Sequence, residues 1–104
     1  MKNPKDCAGI ADVRAAIATI DEALIDLLAR RMAYVDRVAE IKIAEALPAN
    51  VPARVAQVIE KVRTWADRDG FPADLAEKIW QSLIDWSIAH EERVMKAHNA
   101  KAGK

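Results

Sequence analysis

In the stretch LIDLLARRMAYVDRVAEIK, residues 24–42, Leu24, Leu28, Val35 and Val38 recur at three- and four-residue spacing. That spacing marks the face a helix turns toward a core. Arg31 interrupts the face and Lys42 closes it. The two cations are eleven residues apart; at about 100° per residue they lie within ~20° of each other and ~16 Å apart along the axis. Long side chains leaning toward each other from those positions would grip something small and anionic. Arg14 is seventeen residues before Arg31, about 25 Å along a helix axis. Those two arginines cannot meet on one small ligand within one subunit. In an antiparallel pair of chains, Arg14 of one copy would approach Arg31 of the other.

Polar groups interrupt the other apolar stripes as well. Trp80, Ile84, Ser87, Glu91 and Met95 follow one another at helical spacing, with a hydroxyl and a carboxyl set among them. Arg54 lies one turn before Val58, on the edge of an apolar face. Arg31, Lys42, Arg54, Ser87 and Glu91 are therefore expected to face one interior. A buried, unpaired charge costs on the order of several kcal/mol, so such groups pair with each other or with a ligand.

Plainer readings exist for each residue alone. Lys42 and Arg54 would snorkel, with packed stems and wet heads. Arg31 would pair with Glu91 or Asp21. Ser87 would be an ordinary helix residue, and Glu91 beside Glu92 a solvated face. His90 and His98 read as surface residues, without metal-ligand spacing to a Cys or Asp. Trp65, Trp80 and Trp86 read as core. Cys7 has no nearby His and reads as a small residue rather than a reactive thiol. Convergence favours a site: the embedded groups occur on all the helices and are mostly cationic. No Ser-His-Asp set, phosphate-binding Gly loop or metal motif offers a rival.

The elements that would carry these residues are helical throughout. Between Asp12 and Glu45 there is no Gly or Pro, and Val13, Ile17, Ile20, Leu24, Leu27, Leu28, Val35, Val38 and Ile41 keep a helical period. Pro48 and Pro52 break the pattern, and Pro52 suits a first turn. A second helix is expected over about Pro52–Arg68, with Val55, Val58, Ile59, Val62 and Trp65 inward, stopped at Asp69-Gly70. A third is expected over about residues 72–98, carrying Leu75, Ile79, Trp80, Leu83, Ile84, Ile88 and Met95, followed by a frayed tail, NAKAGK. No strand signal competes.

The bulk properties bound the rest. A chain of 104 residues reads as one domain, residues 1–104. Sixteen basic and sixteen acidic side chains cancel, so no global field points to nucleic acid or an anionic membrane. One cysteine favours a reducing compartment. No apolar run approaches the ~20 residues of a membrane span. The opening MKNPKDCAGIADVR lacks a signal-peptide core, so a cytoplasmic protein is expected. A first helix of about 34 residues would be ~50 Å long, against a radius of gyration of about 13 Å for a compact chain of this size. Two short helices cannot cover its stripe; a second copy can. An intertwined all-α homodimer of three-helix chains is the predicted architecture.

The run DVRAAIATIDEALIDLLARRMAYVDRVAEIK closely resembles the first helix of the all-α chorismate mutases of the AroQ class. Arg14, Arg31 and Lys42 match that family's cationic pattern. The likeness continues through Arg54 and WSIAHEE, and the opening segment is similar to the isochorismate-pyruvate lyase branch. The resemblance implies an intertwined three-helix dimer with two equivalent sites. Arg14 would enter the partner chain's site and join Arg31, Lys42, Arg54, Ser87 and Glu91 around a small dicarboxylate, chorismate or isochorismate. Arg14 and Arg31 would clamp carboxylates, with Arg54 assisting, and Lys42 would point at the ether oxygen. The reaction implied is the pericyclic rearrangement of chorismate to prephenate, which needs positioning and charge stabilisation but no nucleophile, metal or organic cofactor.

Departures from the family pattern bear on that expectation. Glu91 stands where many bacterial members have Gln, and a carboxyl donates a hydrogen bond only when protonated; the expectation is a neutral acid. Val55 stands where many mutases carry the Glu that binds the ring hydroxyl, as in the lyase branch, which gives salicylate and pyruvate. Ser87 is the mutase-like residue at a position that is aromatic in the lyase. Rearrangement of chorismate is therefore the leading expectation, lyase action on isochorismate the alternative. A non-catalytic helical dimerisation module, with the cations as register-setting ion pairs, is the reading outside enzymology.

Overall fold

The computed structural model describes residues 3–102. A short 3-10 turn at Pro4–Asp6 precedes three α-helices: α1, Ile10–Glu45; α2, Pro52–Asp69; and α3, Ala73–Ala102. Among the described residues there is no strand, so the chain is all-α. The uninterrupted span expected from Asp12 begins two residues earlier, at Ile10. Its start is stabilised by Asp12, whose carboxylate accepts the Ala8 N–H at 3.1 Å, an acidic group well placed in a first turn.

Proline and glycine set the other boundaries. Pro52 occupies the first turn of α2, where its missing N–H costs nothing. Gly70 ends α2 in the left-handed region at φ 73°. The tail departs from expectation: α3 continues through Asn99 to Ala102 instead of fraying at 99, since Ala, Lys and Asn offer no break in the helical backbone. The last two residues of NAKAGK lie outside the described residues.

The chain divides into two compact units, one ending at Tyr34 and one beginning at Val35. In the second, Val62 and Ala66 of α2 meet Ala76 of α3 in a buried cluster, with Val58, Ala73 and Trp80 packed against it. Arg63 fastens the same two helices, its Nη1 donating to Asp74 Oδ1 at 3.0 Å and Glu77 Oε1 at 3.1 Å. This core is built of small side chains and is thin. Trp65 and Trp86, expected inside, are about half exposed, and Leu75 and Ile79 are exposed as well; their bulk exceeds what a Val/Ala seam can cover.

In the first unit the apolar stripe is regular and uncovered. Val13, Ile17, Ile20, Leu24 and Leu27 are exposed, and only Leu28 is half-buried among its large apolar members. Among the described residues of this unit, nothing covers the face that the periodicity marks. Among the described residues, no helix is long and apolar enough to cross a membrane.

Candidate active site

The polar centre of the second unit forms where the end of α1 meets α3. Lys42 Nζ stands 3.0 Å from Glu91 Oε1, and both side chains are largely buried. The same ammonium donates to the Ala49 carbonyl at 2.8 Å, in the connection between α1 and α2. Lys42 also accepts with its own backbone: its carbonyl receives the Leu47 N–H at 2.8 Å, beside the Ala46 N–H to Ile43 O bond at 3.3 Å. That pair of bonds closes a helix end in the Schellman manner, and it requires Ala46 to sit at φ 55°, a conformation that costs an L-residue about 1–2 kcal/mol. One lysine thus organises the connection from two sides while facing a carboxyl.

Glu91 Oε1 is enclosed and receives no hydrogen bond of ordinary geometry. Lys42 is at contact distance, but its best-aimed proton goes to Ala49. An ammonium has three donors; one goes to Ala49, and Glu91 stands beside it as a close charge contact rather than an aligned acceptor. Ser87, one turn before Glu91 on α3, is also buried. Lys42, Ser87 and Glu91 are therefore the predicted site residues that burial sets apart within this unit, and Lys42 and Glu91 are brought into contact. The picture of Glu91 as a solvated neighbour of Glu92 does not hold: Glu91 is 6% exposed and Glu92 lies on the open side.

The three predicted arginines have a different setting. Arg54 is exposed in the first turn of α2 rather than turned inward, and in the first unit Arg14 is exposed and Arg31 half-buried. Among the described residues, none of the three makes an ion pair or side-chain hydrogen bond within the chain. Within the first unit the plainer pairing of Arg31 with Asp21 is not formed among the described residues, and in the second unit Glu91 lies against Lys42. Four other arginines pair with carboxylates, Arg30 with Asp26, Arg37 with Glu40, Arg63 with Asp74 and Glu77, and Arg68 with Asp69, while Arg93 lies over the Trp86 ring. Three open grooves on the second unit are lined by other residues, such as Val55, Ile59 and Ile88 in one and Glu92, Arg93 and Lys96 in another.

One element was missed from sequence. His90 was read as a surface residue, yet it is half-buried, with Nε2 2.7 Å from Asp36 Oδ1 and its ring stacked on Trp86 at 5.0 Å. The partners are 54 residues apart, and no local pattern links them. Among the described residues there is no His/Cys/Asp/Glu group arranged to hold a metal ion.

The chain has relatives among known proteins. The family model described as chorismate mutase type II matches residues 13–92. An isochorismate pyruvate lyase of Pseudomonas aeruginosa is 40% identical over 92 residues, covering 88% of this chain and 89% of that protein. A chorismate mutase of Methanocaldococcus jannaschii is 27% identical over 95 residues, 91% of this chain and 96% of that protein. A T-protein of Enterobacter agglomerans is 36% identical over 84 residues, 81% of this chain but 22% of the longer relative.

Proposed function

The chain belongs to the chorismate mutase type II family, and from that premise we propose that it is a homodimeric enzyme rearranging chorismate to prephenate. The family and the relatives make it an isomerase or a lyase. The observation that carries the site is the contrast among cations. Arg14, Arg31 and Arg54 lack any partner in the chain among the described residues, while Lys42 is held ready beside a buried carboxyl. A dicarboxylate would complete the arginines. Arg14, donated by the second subunit, and Arg31 would clamp its carboxylates, with Arg54 and Ser87 assisting.

The chemistry asked of these groups is limited. As the ether C–O bond breaks and the new C–C bond forms, negative charge grows on the ether oxygen. Lys42 would donate a hydrogen bond there, and Glu91 would donate a second as a neutral acid. Fixed donors in a dry site are worth most where charge develops, and holding the enolpyruvyl arm over the ring removes much of the entropic barrier. The uncovered stripe of Ile17, Ile20, Leu24 and Leu27 supports the second copy, which would make residues 1–104 one domain of a two-site dimer. Sedimentation should give a dimer at micromolar concentration.

The second reading is lyase action on isochorismate, releasing pyruvate and leaving salicylate. It is favoured by the 40% identity to the Pseudomonas lyase over nearly its whole length and by Val55, which offers no hydroxyl acceptor. Incubation with each substrate separates the two: prephenate from chorismate supports the first, salicylate and pyruvate from isochorismate the second. Turnover of neither, with Arg31→Ala altering only oligomeric state, supports the dimerisation module. For Glu91, Glu91→Gln, whose amide is a permanent donor, should keep turnover within a few-fold, whereas Glu91→Leu should lower it by at least about ten-fold. Turnover as low in Glu91→Gln as in Glu91→Leu contradicts the donor role.

A further inference from the structure

We infer that Asp36 and His90 are a positioning pair that holds Glu91 against Lys42, an inference that rests on the site proposed above. Among the described residues, α1 and α3 are joined by two polar side-chain contacts: Lys42 with Glu91 and Asp36 with His90. The second immediately precedes the first along α3, so the rotation of α3 that aims Glu91 is the rotation that His90 fixes. The His90 ring is itself constrained. It stacks on Trp86 with an interplanar angle of 17°, and the Arg93 guanidinium covers the same indole at 5.6 Å. Trp86, His90 and Arg93 form one strip of α3, locked at one point to α1.

The need for such a lock follows from what else holds this region. The buried apolar cluster ties α2 to α3, whereas on α1 Ala39 is the buried residue. A side chain reaches roughly 5–6 Å from its helix axis, so a 10° turn of α3 displaces the Glu91 carboxyl by about 1 Å. A displacement of that size costs up to about 10²-fold in rate when it misplaces a reacting group. Asp36 and His90 touch no reacting atom in this arrangement. Asp36 is half exposed and His90 one-quarter exposed, so the pair contributes little to stability and its role is aim.

The test compares His90→Leu, His90→Gln, Asp36→Leu and the Asp36→Leu, His90→Leu double variant. Gln retains a donor near the place of Nε2 and should keep at least half of wild-type kcat. His90→Leu should lower kcat about ten-fold with KM within two-fold and an unchanged helical spectrum. The double variant should be no worse than either leucine variant alone. A readout independent of turnover is the coupling between Lys42 and Glu91, from urea unfolding of Lys42→Met and Glu91→Gln singly and together at fixed protein concentration. In the His90→Leu background that coupling should fall by at least half. If the protein turns over neither substrate but the coupling falls, the proposed reaction fails and the positioning pair stands. Unchanged coupling overturns the pair, as does wild-type kcat in His90→Leu, or His90→Gln as poor as His90→Leu.

Discussion

The junction after α1 and the junction after α2 close their helices with the same backbone hydrogen bonds on different residues. After α2, Phe71 N–H reaches Ala66 O at 2.8 Å and Gly70 N–H reaches Asp67 O at 3.4 Å. After α1, Leu47 N–H reaches Lys42 O at 2.8 Å and Ala46 N–H reaches Ile43 O at 3.3 Å. The first junction puts glycine at the left-handed position and stands beside the apolar seam and the Arg63 bridges. The second puts alanine there, and beside it stand a half-buried lysine and a buried carboxyl with an unsatisfied oxygen. One region follows every local rule for stability, and the other breaks several within a few residues. Such clustered departures are where function is expected.

The largest effect that tests this contrast is at Lys42. Lys42→Met should lower kcat by about 10²–10³, the loss typical of a removed donor to developing charge. It should also cost about 1–3 kcal/mol of stability, because the Ala49 carbonyl and the buried Glu91 carboxyl lose their polar partner. Replacing both, Lys42→Met with Glu91→Leu, should return most of that stability while turnover stays lost. Urea titration and steady-state kinetics on the same preparations check both arms; if the double variant keeps its activity, the contrast is broken.

Arg31→Lys follows, with a loss of about ten- to a hundred-fold in kcat/KM and an intact fold, since lysine keeps the charge but loses the two-pronged donor. The caps come next. Gly70→Ala should destabilise by about 1 kcal/mol. An added Cβ at Gly70 would meet nothing within 4 Å, so the cost is conformational alone. Ala46→Gly should stabilise by about 0.5–1 kcal/mol by relieving the same conformation. Opposite signs in thermal melts sharpen the comparison; equal signs break it.

The smallest effect is a pH dependence at the orderly junction. A hydrogen bond from Arg68 holds the Asp69 carboxyl below its ordinary value. A carboxyl whose folded value is depressed contributes stability above its unfolded value and loses it as pH falls through the folded one. Asp69→Asn should therefore slightly flatten the acid side of the stability curve, below the ordinary carboxylate range, and leave neutral pH activity unchanged.

Much of the fold was legible because helices announce themselves locally. The long gap without Gly or Pro, the Pro52 start and the Gly70 stop each have a mechanism that acts within a few residues. Glu91 was legible as part of the Trp80–Met95 stripe, even though its neighbour Glu92 suggested solvent. Periodicity marks the apolar face of α1, and helix length, not periodicity, assigned that face to a second copy; within its own unit Val13 to Leu27 are exposed. Trp65 was misplaced for a related reason: spacing carries no information about the thickness of the seam. The Ala46 cap escaped notice because alanine is no signal for a left-handed residue. The contact of His90 with Asp36 depends on where two distant helices cross.

Calorimetric titration of the protein with a bicyclic dicarboxylate shaped like the rearrangement's transition state tests most directly whether an acidic guest completes the unpartnered arginines. Saturable binding of one equivalent per chain, abolished by Arg31→Ala in a protein that still folds and dimerises, is the expected result. Absence of saturable binding, or binding undiminished by Arg31→Ala, contradicts it.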